Sequence, residues 1–199
     1  MITRPTRDAR IYPITTYDFE WTTTSPHRIR LCGAYDERRY RAYPTIEAFL
    51  EGELIPENYG RRFYAHFGGA SDMVFMIMPL LRSRRKFTIK AAFNSSSAII
   101  VEISEPGDDP NRKWVFLDSF WTMRVGLAKI GKWLGRGFEK GEVDFNNDPI
   151  EVLKPYNEPR IINLLQKLEH AGKSQPVQGG EVSSPHNRTI NLVKGERII

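Results

Sequence analysis

Apolar and polar residues alternate in short runs over the first third of the chain. The runs are 11-IYPITTYDFEW-21, 28-RIRLCGAYD-36 and 39-RYRAYP-44. Short runs rich in β-branched and aromatic residues, separated by polar turns, are typical of strands. We therefore predict three strands in this part of the chain.

Helical and strand patterns alternate in the remainder. Thr45 is suited to cap a short amphipathic helix. The predicted segments after the first three strands are a helix over 45–54, a strand over 61–67, a helix over 70–83, a hairpin of strands over 87–94 and 97–104, a strand over 113–120, a basic helix over 123–135 and a helix over 159–171. This order predicts a mixed α/β domain.

The end of the chain has a different composition. The stretch GKSQPVQGGEVSSPHN is rich in Gly, Ser and Pro, which is typical of a flexible linker. We expect one domain over 1–171, a linker over 172–187 and an apolar tail over 188–199 that binds a partner.

Composition indicates the size of the domain, the class of partner and the cellular environment. The chain has 199 residues, 40% of them hydrophobic, which suits one domain with a real core. Its net charge of +5 favours polyanionic partners without proving them. The single cysteine, Cys32, excludes an intramolecular disulfide and a cysteine-built zinc site, and its neighbours predict a buried strand position. No run of eighteen apolar residues or signal peptide is present, so we expect a soluble, intracellular protein without membrane contact.

Asp18 and Glu20 lie two residues apart in a predicted strand, so their side chains share one face. One interpretation is a half-exposed sheet with both acids in water. The other is a bound cation, which the large flanking side chains of 17-YDFEW-21 favour. Carboxylate oxygens select Mg²⁺ or Mn²⁺, and such ions support two-metal phosphodiester chemistry. The nucleotide-binding patterns GxGxxG and GxxxxGK[ST] are missing.

Two stretches resemble motifs of one enzyme family. 17-YDFEW-21 is similar to the first motif, and 63-FYAHFGGASDMVFM-76 to the second, of the 3′→5′ proofreading exonuclease domain of family B DNA polymerases, especially the protein-primed enzymes of phages and organellar plasmids. The stretches 116-FLDSF-120 and 140-KGEVDF-145 are similar to the region that follows. The resemblance covers roughly residues 14–170.

The resemblance implies a fold and a chemistry. The fold would be ribonuclease-H-like, with a mixed, mostly five-stranded sheet flanked by helices and the acids at one end. Asp18, Glu20 and Asp72 would bind Mg²⁺ or Mn²⁺, Tyr156 would orient water, and Lys140 would reach the scissile phosphate. Taken alone, Asp72 would instead be an acid that stabilises a helix N-terminus.

The resemblance also implies partners. Single-stranded DNA or a DNA 3′ end would bind, and a polymerase or another replication protein is a further candidate, in a cytoplasmic, viral or organellar setting. The residues expected to border the DNA are His66, Phe67, Lys129, Lys132, Arg136 and Lys140. Without the resemblance, the basic residues would be a solvated face, and His66 would be a packed or hydrogen-bonded side chain.

The third motif departs from the family pattern, Tyr-x-x-x-Asp. Tyr156 matches the tyrosine, but Arg160 stands where the family has aspartate. We expect this guanidinium to pair with Asp18 or Glu20 in the place of a metal ion and to impair catalysis.

Three neighbouring acids, Asp148, Glu151 and Glu158, are candidate replacement ligands. Pro155 and Pro159 predict a helix that begins at Pro159.

Two functional hypotheses remain. One is a metal-dependent 3′→5′ DNA exonuclease-like domain with impaired catalysis. The other is an inactive nucleic-acid-binding or assembly module that keeps the exonuclease fold. Phe67, at a position where the family usually has asparagine, is a second departure near the expected DNA path.

Overall fold

The computed structural model describes residues 12–95, 97–107, 109–121, 124, 126, 143–174 and 187–193, with the backbone alone over 170–174 and 187–193. Eight strands and three α-helices lie in this part of the chain. They are β1 (Ile14–Trp21), β2 (Ile29–Tyr35), β3 (Tyr40–Tyr43), α1 (Ile46–Glu53), β4 (Arg62–Ala65), α2 (Asp72–Arg82), β5 (Thr88–Asn94), β6 (Ser97–Ser104), β7 (Lys113–Asp118), α3 (Ile150–Ser174) and β8 (Asn187–Val193).

The strands form one mixed sheet in the order β3-β2-β1-β4-β7-β6-β5-β8. β4 runs parallel to β1 and to β7, and the other neighbours are antiparallel. The predicted ribonuclease-H-like fold is confirmed, but the described sheet has eight strands instead of about five. The difference arises because the β5–β6 hairpin extends the sheet from β7, and β8 extends it again.

β1 is a central strand whose two faces serve different purposes. Tyr17 and Phe19 are buried on one face and pack against Phe49 of α1, with ring centroids 5.8 and 5.0 Å apart. Thr16 lies on the other face and donates a hydrogen bond to the carbonyl oxygen of Ile161 in α3, at 2.7 Å. Since side chains alternate along a strand, Asp18 and Glu20 share the α3 side.

The two short helices follow their sequence patterns. Thr45 Oγ1 accepts a hydrogen bond from the Ala48 amide at 3.1 Å, so Thr45 caps α1 as predicted. α2 begins at Asp72 and buries Met73, Met76 and Leu80. Cys32 is a free, buried cysteine in β2, as predicted.

The predicted start of the last helix was wrong. α3 begins at Ile150 instead of Pro159, and it continues through both prolines. Pro155 and Pro159 are four residues apart and exposed, so the carbonyl groups that lose their amide partners lie on the solvent side of the helix. The opposite stripe of Leu153, Asn157 and Ile161 is fully buried and holds the helix on the sheet.

Residues 188–193 of the predicted tail have their backbone on this chain's own sheet. β8 pairs antiparallel with β5 from Asn94↔Asn187 to Thr88↔Val193. The predicted linker 172–187 is shorter than expected, since 172–174 belong to α3 and Asn187 begins β8, and its residues 175–186 lie outside the described residues. None of the described helices has the length and apolar character needed to cross a membrane.

Close packing between β2 and α3 requires a glycine at position 33. Gly33 pairs with Asp18 across the β1–β2 ladder, and a Cβ atom there would overlap Asn157 Oδ1. We expect Gly33→Ala to lower the free energy of unfolding by about 1–3 kcal/mol, because the buried Asn157 must move. Chemical denaturation measures this change.

The matched control removes the obstructing side chain. In an Asn157→Ala background, Gly33→Ala should lower the free energy of unfolding by less than it does in the wild type, because the overlapping side-chain atoms are absent. Equal decreases in the free energy of unfolding in the two backgrounds would show that the Gly33–Asn157 contact does not fix the position of α3.

Candidate active-site cluster

Three acids from two elements come together at one end of the sheet. Asp18 and Glu20 project from one face of β1, and Asp72 is the first residue of α2. Asp18 and Glu20 lie close enough to Asp72 for their charges to raise its pKa. Glu20 and Asp72 are buried, with 4% and 2% of their surface exposed. The predicted acids therefore form one cluster.

Arg160 lies between the two acids of β1. Its Nη1 atom is 3.1 Å from Asp18 Oδ2 and 2.8 Å from Glu20 Oε1. The predicted pairing of this guanidinium with the acids is confirmed. Because one nitrogen contacts both carboxylates, it occupies the space between them.

Asn157 is a member of the cluster that the sequence did not suggest. Its Nδ2 atom donates to Glu20 Oε1 at 3.1 Å and, at 3.4 Å, to Asp18 Oδ2. Its Oδ1 atom accepts a hydrogen bond from the Tyr40 hydroxyl at 3.0 Å. Its spacing of three residues from Arg160 was the available signal, since such residues lie on the same side of a helix.

Burial raises the pKa values of the acids of the cluster. Burial, and then the charge of Asp18, raise the pKa of Glu20 from 4.5 to about 8, against the opposing effect of Arg160. Burial also raises the pKa of Asp18, and Arg160 opposes this shift. The pKa of Asp72 is raised well above its usual range by burial and by the charges of Asp18 and Glu20. Asp18 and Glu20 therefore share one half-buried cation, Arg160.

The arrangement does not fit a divalent metal ion. A two-metal site needs carboxylate oxygens that face the ions, whereas Arg160 lies against both Asp18 and Glu20. Among the described residues, no group of three or more His, Cys, Asp or Glu side chains is placed to hold a metal ion. With Arg160 between Asp18 and Glu20, the three acids of the predicted metal set lie together without forming an open metal site, and among the described residues Asp148, Glu151 and Glu158 complete no such site.

A cleft of about 240 Å³ lies beside the cluster. Trp21, Phe145, Tyr156 and Arg160 contribute to its walls, together with the acids of β1. The Arg160 guanidinium lies 5.2 Å from the centroid of the Tyr156 ring, and the Phe145 ring packs edge-on against that ring at 5.4 Å. Aromatic walls beside a guanidinium suit a flat, polar ligand such as a nucleobase.

An exposed aromatic pair lies at the second motif. Phe67 is 51% exposed and stacks on Phe120, with ring centroids 3.8 Å apart and an angle of 29° between the rings. Phe67 has a left-handed backbone, with φ of 63°. Phe120 was not predicted as a site residue, because its contact with Phe67 joins positions more than fifty residues apart.

Asp118 fixes the loop that carries this pair. Its carboxylate accepts hydrogen bonds from the Phe67 and Phe120 amides at 3.0 and 2.9 Å, and from the Gly69 amide at 3.1 Å. His66 is 8% exposed, and its Nδ1 atom lies 2.9 Å from Ser119 Oγ. Asp118 therefore has a structural role, and His66 is packed and hydrogen-bonded.

The predicted basic border of the cleft lies outside the described residues. This applies to Lys129, Lys132, Arg136 and Lys140. Their roles at the DNA, and that of Lys140 at the scissile phosphate, stay predictions.

Comparison with known sequences gives local matches. No family model matches the chain. It is 51% identical over 51 residues to Protein MrkE of Klebsiella pneumoniae, covering 24% of this chain and 19% of that protein. It is 50% identical over 50 residues to the transcriptional regulatory protein YpdB of Escherichia coli K12, covering 24% and 20%. The match spans about a fifth of each relative's length, so the activity of these proteins is not transferred.

Comparison with solved structures covers most of the chain. Phi29 DNA polymerase complexed with single-stranded DNA matches with a TM-score of 0.67 and 18% identity, over 82% of this chain and 32% of the polymerase. The complex of the same polymerase with primer-template DNA matches with a TM-score of 0.68 and 18% identity, over 82% of this chain and 31% of the polymerase. Escherichia coli RNase D, an exoribonuclease, matches with a TM-score of 0.51 and 12% identity, over 81% of this chain and 39% of RNase D. These likenesses confirm the exonuclease fold predicted from the motifs.

The raised pKa of Glu20 predicts a pH-dependent stability. Between pH 4.5 and about 8 the folded protein keeps a proton on Glu20 that the unfolded chain releases. The free energy of unfolding should therefore fall as pH rises through this window, by up to about 1.4 kcal/mol per pH unit from one group. Glu20→Gln should flatten this slope in denaturation curves measured at several pH values.

Asp18 and Asp72 shift in the same direction, so part of the slope should remain in Glu20→Gln. Replacement of the exposed Glu57 by Gln is the matched control and should leave the slope unchanged. A wild-type stability that rises with pH across the window would contradict the burial of protonated acids.

Proposed function

We propose that the chain is an exonuclease-fold domain that binds single-stranded DNA or a DNA 3′ end, and in which phosphodiester hydrolysis is impaired. The observation that carries this proposal is the position of Arg160 Nη1, within 3.1 Å of both Asp18 and Glu20. A guanidinium stays charged at any working pH, so it does not vacate this place by losing its proton.

Impaired catalysis is expected from the side chains that are available to bind metal ions. The resemblance implies that an aspartate at position 160 would complete the metal site, and the chain has a cation there. A missing metal ligand removes several kcal/mol of transition-state stabilisation, which lowers the rate by orders of magnitude. No hydrolytic step is assigned to the cluster in its present arrangement.

DNA as the ligand has three supports. The fold matches a polymerase solved with single-stranded DNA and with primer-template DNA. The net charge of +5 favours a polyanion. The cleft and the exposed Phe67–Phe120 pair offer aromatic faces, and bases stack on such faces without sequence preference. A polymerase or another replication protein is the proposed partner.

The alternative is an assembly module that keeps the fold as a scaffold and binds no DNA. Its support is the place of β8 at an edge of the sheet, where strand addition joins partners in other proteins. DNA binding measured at increasing salt separates the two proposals, since phosphate contacts weaken as salt rises. No binding at low salt would favour the assembly module.

Arg160→Asp tests the impaired site. This change replaces the cation by the carboxylate of the family pattern, so the variant should gain degradation of a labelled single-stranded oligonucleotide with Mg²⁺ or Mn²⁺. It should also unfold at a higher temperature with Mn²⁺ than without, because an ion bound by the folded state would reduce the repulsion among the four acids. Wild type should show weak or no degradation and no such thermal shift.

The controls separate metal binding from loss of charge. Arg160→Met removes the cation without adding a ligand, and should lose stability without gaining a response to Mn²⁺. Asp18→Ala in the Arg160→Asp background should abolish the gained activity. Strong degradation by wild type, lost in Asp18→Ala, would contradict the proposed impairment.

Phe67→Ala tests the aromatic pair as a base-stacking surface. Because Phe67 is exposed, its removal should leave the unfolding temperature almost unchanged. Affinity for a single-stranded oligonucleotide, measured by fluorescence anisotropy, should fall by about tenfold, corresponding to a stacking contribution of about 1–3 kcal/mol.

Val152→Ala is the control, since Val152 is a large apolar side chain exposed elsewhere, on α3. It should leave the affinity unchanged. Equal affinities of Phe67→Ala and wild type would exclude the pair from the DNA path.

A further inference from the structure

A second concave surface lies at the other end of α2 from the acid cluster. It is a groove of about 380 Å³ between α1 and the C-terminal end of α2. We call it the α1–α2 groove, with Glu47, Leu50, Glu51, Leu80, Arg82 and Arg84 in its walls and floor. Asp72 begins α2 and Arg82 ends it, eleven residues in all, which places the groove about 15 Å from the cluster along the helix.

The groove has one acidic and one basic wall. Glu47 and Glu51 are exposed and one turn apart on α1, while Arg82 and Arg84 are exposed on the opposite side. In the described part of the chain, no ion pair joins these walls. The neighbouring Arg85 is engaged instead with Glu105, at 2.9 Å. Both walls therefore present charge to an external partner.

The basic wall continues into an exposed apolar ridge. Val74 and Met78 are 41% and 51% exposed, and Arg82 follows them at the same spacing of four residues. Residues at this spacing lie above one another on a helix, so the three side chains form one line. The sequence 73-MVFMIMPLL-81 is apolar on all sides, which is typical of a helix covered on both faces.

We propose that the α1–α2 groove and this ridge form a self-association surface, and that its occupant is a second copy of this chain. A two-fold axis through the groove, between its two walls, would place Arg82 and Arg84 of each copy against Glu47 and Glu51 of the other. One surface that carries both charges beside an apolar strip is self-complementary, as a two-fold interface requires. DNA would be repelled by the acidic wall, and a small ligand in the groove would leave Val74 and Met78 uncovered.

Exchange of charges between two variants tests this contact. Arg84→Glu places acids against acids in a symmetric dimer, and Glu51→Arg places bases against bases. Each variant alone should dimerise at least about tenfold more weakly than wild type in sedimentation equilibrium. An equimolar mixture of the two should recover dimers, because each unlike pair then carries opposite charges.

Controls address folding and the position of the contact. Arg38→Glu makes the same charge change on the exposed turn between β2 and β3, and should not alter dimerisation. Met78→Ser should weaken dimerisation without changing the unfolding temperature, since Met78 is exposed in the single chain.

Three results would overturn the proposal. They are a wild type that stays monomeric at all concentrations, dimers insensitive to both charge reversals, and a mixture that remains monomeric. The first would leave a different protein as the occupant of the groove. DNA binding by the charge variants is measured in parallel, so that failure of the dimer proposal is distinguishable from failure of the DNA-binding proposal.

Discussion

The cost of burying three carboxyl groups around one guanidinium determines the structure of the site. Asp18, Glu20 and Asp72 are held at one sheet end by β1 and α2, and burial disfavours their charged forms. The Arg160 guanidinium and the Asn157 amide offset part of this cost by binding Asp18 and Glu20. In an exonuclease of the resembled family, divalent ions would provide this compensation. In this chain Arg160 instead supplies part of the charge compensation for Asp18 and Glu20.

The position of α3 determines whether Arg160 reaches the acids. The helix is held on the sheet by its buried stripe, by the Thr16 hydrogen bond to Ile161, and by Asn157 lying against Gly33. Its prolines are tolerated because both lie on the exposed side. Arg160 follows Asn157 by three residues, so one helix face supplies both the neutral and the charged donor to Asp18 and Glu20.

Much of the fold and part of the site could be predicted from the sequence. The strand and helix patterns, the Thr45 cap and the cluster of Asp18, Glu20 and Asp72 followed from local spacing and motif resemblance. The pairing of Arg160 with the acids followed from charge. Local patterns did not give the β5–β8 pairing or the Phe67–Phe120 stack, because these contacts join distant positions. The start of α3 was mispredicted because tertiary packing outweighed the local effect of proline.

The two ends of the apolar helix α2 have different chemical environments. Its first residue, Asp72, is held in the cluster, where the helix N-terminus favours the charged carboxylate while burial opposes it. Its buried residues Met73, Met76 and Leu80 fix the helix against the core, which leaves Val74 and Met78 outside. The outer face of α2 is therefore apolar at Val74 and Met78, and the proposed self-association would cover these side chains without contacting the buried Asp72.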